Sequence, residues 1–114
     1  MALPPPIDII TSTIHAGEAL SDPINLTRGK LINIIMSDWE SAMMTLQISP
    51  DDTLYSDLCD EDGNEITMPV GPHTAFLVRR TWVDSVRWIK LRSGSRNAPE
   101  HQRIDVTITL VLET

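Results

Sequence analysis

The side chains that could do chemistry in this chain are few, and their spacing does not assemble a catalytic or metal-binding group. The three histidines are far apart, and none has a Cys or His neighbour at the spacing of a metal site. They are His15, His73 and His101. The sequence has neither the Gly-x-Ser-x-Gly turn of a hydrolase nucleophile nor a glycine-rich phosphate loop followed by lysine. We therefore predict no catalytic residue, no metal ligand and no cofactor, in a protein that is not an enzyme.

The acidic run 60–65 resembles a calcium-binding loop at first sight. Glycine stands at its fourth position, whereas a calcium loop needs it at the sixth, and the twelfth position is Gly71 instead of a glutamate. A solvated hairpin turn is the better interpretation. The one cysteine, Cys59, cannot form an internal disulfide and is interpreted as a small, half-buried hydrophobic residue.

The charge of the chain limits the partners it can have. The formal net charge is −7, the wrong sign for a general nucleic-acid binder, which needs a basic surface to neutralise phosphates. Residues 1–78 carry 2 basic and 12 acidic side chains, a balance of −10, and residues 79–114 carry 7 basic and 4 acidic ones, a balance of +3. Chance and solvation explain this asymmetry, or else complementary faces meet between subunits. Apolar runs are far shorter than the about 20 residues of a membrane span, so we expect no membrane partner.

Alternation of apolar and polar residues predicts strands. In the stretch 104–112 every even-numbered residue, beginning with Ile104, is apolar and predicted to point to one side. The stretches 44–49 and 87–92 alternate in the same way, and weaker candidates are 7–15, 24–26, 31–36, 54–59, 66–70 and 74–78. The segment 37–43 is predicted as one helical turn or a loop.

Eight or nine short strands separated by turns rich in Asp, Gly and Pro predict an all-β fold, either a sandwich or a barrel. The predicted core residues are Met44, Leu46, Ile48, Ile89, Leu91, Val106, Ile108 and Leu110. Residues 7–114 are predicted to form this single domain. Residues 1–6 are predicted as an extended arm, because Pro4, Pro5 and Pro6 favour polyproline geometry. The arm is either a disordered start or a segment that contacts a neighbouring subunit.

Several stretches in order carry a family resemblance: AGEALS (16–21), LTRGKL (26–31), Trp39, LQISPDD (46–52), YSDL (55–58) and VRWIKLRSG (86–94). Over residues 14–112 they resemble the small β-sandwich virion proteins encoded among the head genes of tailed phages and related gene-transfer particles. The order is similar, more loosely, to galactose-binding-like jelly rolls, although Asp52 stands where their turn usually has glycine. The resemblance implies an antiparallel β-sandwich of jelly-roll, galactose-binding-like type. The resemblance implies a non-enzymatic protein, made in the host cytoplasm and located in the virion, that decorates the capsid or forms the base of head spikes.

A virion protein of this kind is expected to be a homo-oligomer, a trimer or a pentamer, that contacts the major capsid protein or other virion proteins. The candidate partner contacts are Trp88, Arg79, Arg80, Trp39, Pro4, Pro5 and Pro6. Trp88 is predicted to face outward because it alternates with apolar neighbours on its strand, and it is either a packed rim residue or an anchor for a partner. The alternative is a carbohydrate-binding module of jelly-roll fold, in which Trp88 and Trp39 would hold a glycan.

Overall fold

The chain folds almost entirely into β-strands. A computed structural model describes residues 6–39, 41, 43–84 and 86–114. In these residues nine strands and one helical turn follow one another as β1 (Ile7–Ile14), β2 (Ile24–Asn25), β3 (Lys30–Ile35), β4 (Met43–Ser49), β5 (Ser56–Asp57), β6 (Thr67–Pro69), β7 (Ala75–Leu77), α1 (Arg80–Val83), β8 (Trp88–Ser93) and β9 (Val106–Glu113). The predicted all-β class is confirmed.

The strands form two antiparallel sheets. Sheet A has the order β1-β9-β3-β7, and sheet B has the order β2-β8-β4-β5, with β6 pairing with β4. In sheet A, β1 and β9 lie side by side along their whole length, from Ile7 opposite Glu113 to Ile14 opposite Val106. In sheet B the longest pair is β4 and β8. The two sheets pack against each other around one core, which confirms the predicted sandwich.

The core consists of the inward side chains of both sheets. In β9 the even-numbered residues from Val106 to Leu112 are buried, as the period of two requires. Of the eight predicted core residues, seven are buried, and Ile48 is half-buried and packs against the cluster. Full burial of each aliphatic side chain is worth about 1.5–3 kcal/mol. This shared core therefore determines which face of each strand points to solvent.

The last strand begins later than its alternation predicts. Ile104 lies before β9 and is 51% exposed, so the prediction that it points with the inward residues of the strand is wrong. Directly before β9, Oδ1 of Asp105 accepts a hydrogen bond from the backbone amide of Ala16 at 2.7 Å. This contact holds residues 104 and 105 away from the direction of the strand. A polar contact between distant parts of the chain thus ends the strand that hydrophobicity alone would extend.

The segment 37–43 shows no helix in its described residues and forms a loop that leads into β4. Trp39 lies on this loop but turns inward, with 5% of its surface exposed. The one helical turn among the described residues, α1, lies elsewhere, between β7 and β8. Its Val83 is buried in the core. Both connections are therefore positioned by a hydrophobic side chain that inserts between the sheets.

Candidate functional site

The outer face of sheet A carries exposed aliphatic side chains. Residues directly opposite each other in neighbouring strands share a face. One row therefore crosses all four strands: Ile9, Val111, Asn33 and Leu77. Ile9 is 59% exposed and Leu77 is 79% exposed. The next row is Thr11, Thr109, Ile35 and Ala75. This face offers aliphatic and threonine side chains to solvent.

Charge is confined to one end of this face. The strands of sheet A contain three charged residues, Asp8, Lys30 and Glu113. Asp8 lies opposite the buried Leu112, so it belongs to the inner side. Lys30 and Glu113 lie together in the end row, beside Ile7. An outward sheet face is ordinarily polar, whereas this face exposes the aliphatic side chains of Ile9, Ile35 and Leu77.

The free edge of β1 adjoins this face. The carbonyl of Pro6 accepts a hydrogen bond from the amide of Thr114 next to β9, whereas the carbonyl of Thr13 points away from β9 and accepts one from Asp22. Because antiparallel strands alternate in this respect, Ile7, Ile9 and Thr11 direct their N–H and C=O groups away from the sheet. Within the described part of the chain, these three backbone positions have no hydrogen-bond partner on that side.

The outer face of sheet B has a different character. Arg92 is 5% exposed although it lies on the outward side of β8, because the connections around it cover its side chain. Its guanidinium forms ion pairs with the carboxylates of Asp57 and Glu65, the latter at 3.1 Å. Burial raises the pKa of the Asp57 carboxyl, but the hydrogen bond and charge of Arg92 together outweigh burial and hold that pKa below its ordinary value. These charges neutralise one another.

A second polar contact follows on the same face. Nζ of Lys90 lies 4.3 Å from the centre of the Tyr55 ring, within the range of a cation–π contact. The Tyr55 hydroxyl donates a hydrogen bond to Asp52 at 2.5 Å. Burial, followed by this hydrogen bond, raises the pKa of Tyr55 well above its ordinary value. The phenol is therefore kept protonated and is unsuited to act as a base.

A cleft of about 490 Å³ lies beside Arg92. Its lining includes Glu18, Arg96 and His101. The backbone amide of Arg96 donates to Glu65, and Nη1 of Arg96 lies 3.4 Å from Sγ of Cys59. Because Arg92 is already occupied by two carboxylates, the cleft presents no uncompensated buried charge that would fix an anionic ligand.

The predicted contact residues lie in separate parts of the fold. Trp88 is half-buried on the outer face of sheet B, opposite Ser49. Trp39 is buried in the core, and so its ring is not offered to a partner in this conformation. Arg79 is exposed beside a groove that also contains Trp82. The remaining candidates are Arg80, Pro4, Pro5 and Pro6. Arg80 begins α1, and its side chain lies outside the described residues, as do Pro4 and Pro5. Pro6 is exposed.

The two oppositely charged parts of the sequence meet partly within one chain. Arg92 of the basic part pairs with Asp57 and Glu65 of the acidic part. In a second ion pair the basic residue comes from the acidic part and the acidic residue from the basic part: Nζ of Lys30 lies 3.7 Å from Oδ1 of Asp84. Part of the charge complementarity between the two parts of the sequence is thus used within the chain.

Sequence reasoning did not identify the apolar outer face of sheet A. A signal was present in the stretch 7–15, because Ile7 and Ile9 are apolar at odd positions while Ile10 and Ile14 are apolar at even ones. A strand that is apolar on both faces is typical of a sheet that is covered on both sides, by the core on one side and by another surface on the other. The contribution of Leu77 had no such signal, since it depends on the strand order of sheet A.

No family model, curated protein or solved structure matches the chain. Among the described residues, no helix is both long and apolar enough to cross a membrane. No cluster of three or more His, Cys, Asp or Glu side chains suited to a metal ion occurs in the same residues. The apolar outer face of sheet A, with the free β1 edge, is the candidate site, because it combines exposed aliphatic side chains with open backbone groups.

Proposed function

We propose that this chain is a non-enzymatic structural subunit of a phage virion, of the capsid-decorating or head-spike-base type, which self-assembles and docks on the particle. The observation that carries the proposal is the pair of exposed aliphatic side chains, Ile9 and Leu77, at the two ends of one row on sheet A, with the half-buried Val111 and Asn33 between them. A structural subunit needs a surface that loses water on assembly, and aliphatic side chains supply the free energy for this. The resemblance of the sequence to head-gene virion proteins supports a phage head as the particle on which the chain assembles.

The sandwich is, in this proposal, of jelly-roll type. Supporting it are the strand pairs β1–β9, β2–β8, β3–β7 and β4–β5, which nest inside one another along the chain. Successive pairs alternate between sheet A and sheet B. This is the pattern of a long antiparallel hairpin folded over into two sheets, an architecture found in viral capsid and lectin domains.

The partners in this proposal are other copies of the chain and the major capsid protein or another virion protein. A trimer or pentamer would need head-to-tail contacts between two different patches on each subunit. The protein would be made in the host cytoplasm and end in the virion. The competing candidate, a carbohydrate-binding module, loses one of its two supporting rings because Trp39 is buried.

Docking is tested by co-sedimentation with tailed-phage heads that lack this protein. Leu77→Lys places a charge on the apolar face, and Leu54→Lys is the matched control, since Leu54 is 74% exposed in the connection before β5. We expect wild type and Leu54→Lys to sediment with heads and Leu77→Lys to remain in the supernatant. Equal binding of both variants would contradict the proposal. Saturable glycan binding that disappears in Trp88→Ala would favour the carbohydrate-binding alternative.

A further inference from the structure

The free edge of β1 is long, and the side chains on its exposed face are uncharged. Edge strands are normally kept from pairing by being short or by carrying charge or proline. The edges formed by β2, β5 and β7 are two or three residues long. β1 has eight residues, and its outward side chains are Ile7, Ile9, Thr11 and Thr13. Asp8 is the one charged residue of β1 and lies on the inner side beside Arg28. Within the described part of the chain, the outward backbone groups of Ile7, Ile9 and Thr11 stay open to another strand.

We propose that this edge is occupied by the β1 strand of a second copy, paired antiparallel about a two-fold axis that passes through Ile9. In this register Ile9 lies opposite Ile9 of the other copy, and Ile7 lies opposite Thr11. Each of the three pairs exchanges two N–H···O=C bonds, about six in total. The inference deepens the proposed assembly function, for which it identifies one partner and one contact.

The open positions of the edge themselves select this register. The paired segment ends beyond Thr11, because the Thr13 carbonyl is already used by Asp22 and Ile14 forms a bridge with Ser21. On the other side Pro5 has no amide to donate. Three open positions centred on Ile9 are symmetric, so a two-fold axis there leaves none of them unpaired.

The neighbouring registers are less favourable. A two-fold axis at Asp8 would place the two Asp8 carboxylates directly opposite each other, which is destabilising in a sheet. It would also pair Thr11 with Pro5, which lacks a donor. An axis at Ile10 would pair Ile7 with Thr13, whose carbonyl is occupied. The axis at Ile9 avoids these defects, and Arg28 lies 3.4 Å from each Asp8 carboxylate.

Pairing at Ile9 would extend sheet A into an eight-stranded sheet with the order β7-β3-β9-β1-β1-β9-β3-β7. The outer row of Ile9, Val111, Asn33 and Leu77 would then continue into the same row of the second copy. The paired segment of five residues is about 17 Å long. A contact of this size is expected to be weak, with a Kd on the order of 10–100 µM. It is two-fold, and so differs from the head-to-tail contacts of a trimer or pentamer.

The register is tested by cysteine cross-linking in a Cys59→Ser background. With Ile9→Cys, the two introduced residues would have Cα atoms about 5.5 Å apart, inside the range of about 4.4–6.8 Å for disulfides. The matched control is Ile7→Cys, on the same exposed face. Its two copies would be about 14 Å apart. Under mild oxidation we expect on the order of tenfold more covalent dimer from Ile9→Cys than from Ile7→Cys. Equal cross-linking of the two variants, or none in Ile9→Cys, overturns the proposal.

Sedimentation velocity of the full chain supplies an independent measurement. Wild type is expected to shift from monomer to dimer mass as its concentration passes through the Kd. Ile9→Pro removes one amide that points away from β9, which an edge strand tolerates, and is expected to weaken the dimer at least about tenfold. A folded Ile9→Pro that dimerises like wild type contradicts the proposal, and if this variant misfolds, the cysteine pair decides. Failure of the dimer leaves docking on heads unaffected, because that test uses Leu77 and the particle.

Discussion

The outer faces of the two sheets differ in how they meet solvent. On sheet B, Arg92 carries charge outward, and the chain covers it with its own connections and pairs it with Asp57 and Glu65. On sheet A, Ile9 and Leu77 are aliphatic and remain exposed. One face is completed by the folding of a single chain, whereas the other face is left with apolar surface and free backbone groups. In the proposed function, sheet B serves stability and sheet A serves association.

The largest effect on stability is expected from Arg92→Met. The substitution leaves Asp57 and Glu65 as uncompensated carboxylates, which costs about 3–5 kcal/mol when one partner of a buried ion pair is removed. Denaturant unfolding measures this loss. Arg87→Met, at an exposed position before β8, is the control and should change stability by less than about 0.5 kcal/mol. Leu77→Met should likewise change stability by less than about 0.5 kcal/mol. A large loss in Leu77→Met would erase the distinction between the two faces.

The connection that follows β8 depends on a glycine. Gly94 has a φ of 85°, and a Cβ at this position would collide with the carbonyl oxygen of Ala98 and lie 2.8 Å from the amide nitrogen of Glu100. Gly63 has a φ of 84° but open space around it. Gly94→Ala is therefore expected to cost about 3 kcal/mol and Gly63→Ala about 1 kcal/mol. Equal unfolding midpoints for the two variants would show that crowding at Gly94 is relieved without loss.

Acid should weaken the ion pairs that Arg92 forms with Asp57 and Glu65, through protonation of Asp57. Its pKa is lowered in the folded chain by Arg92, so the ion pair contributes stability above the unfolded-state pKa of about 3.9 and loses it as the pH falls through the lower folded-state value. The free energy of unfolding, measured from pH 7 to pH 2, should fall at the acid end. Asp57→Asn should show a smaller dependence in that range, and identical pH profiles would count against the role of this pair.

The smallest effect is expected at His15, next to the end of the β1 edge. The hydrogen bond to Asp22, followed by the charge of Asp22, raises the pKa of His15. The contribution of the His15–Asp22 contact to the free energy of unfolding is therefore present below the unfolded-state pKa of about 6.5, and it is lost as the pH rises through the higher folded-state value. An NMR titration of His15 should give a pKa above 6.5 that decreases in Asp22→Asn. An unchanged titration would mean that Asp22 does not hold this segment against the strand.

The sheets themselves were predictable because alternation is a local property. The even-numbered residues of β9 and the inward residues Leu46 and Leu91 follow from a period of two in the sequence. The prediction that Ile104 points inward was wrong, because a hydrogen bond between Asp105 and Ala16 ends the alternation early. The inward position of the Trp39 ring was not predictable, because a loop has no period and nothing in its neighbours indicated this direction.

The candidate site was less predictable because it depends on contacts between distant parts of the chain. Arg92 is 27 residues from Glu65 and 35 from Asp57, and no motif links them. Ile9 and Leu77 share a row only because β9 and β3 lie between their strands. The free edge likewise requires knowledge that β1 is the outermost strand. Spacing along a sequence carries no information on strand order at this range.

Hydrogen–deuterium exchange tests most directly whether sheet A is the association surface. Backbone exchange would be compared between the dilute protein, the protein above its dimerisation concentration and the protein bound to heads. The account predicts that the amides of Ile7, Ile9 and Thr11 become protected at high concentration and that β7 becomes protected on heads. The segment 52–55, beside sheet B, should exchange alike in all three states. Protection gained at residues 52–55, with β1 and β7 unchanged, would contradict the account.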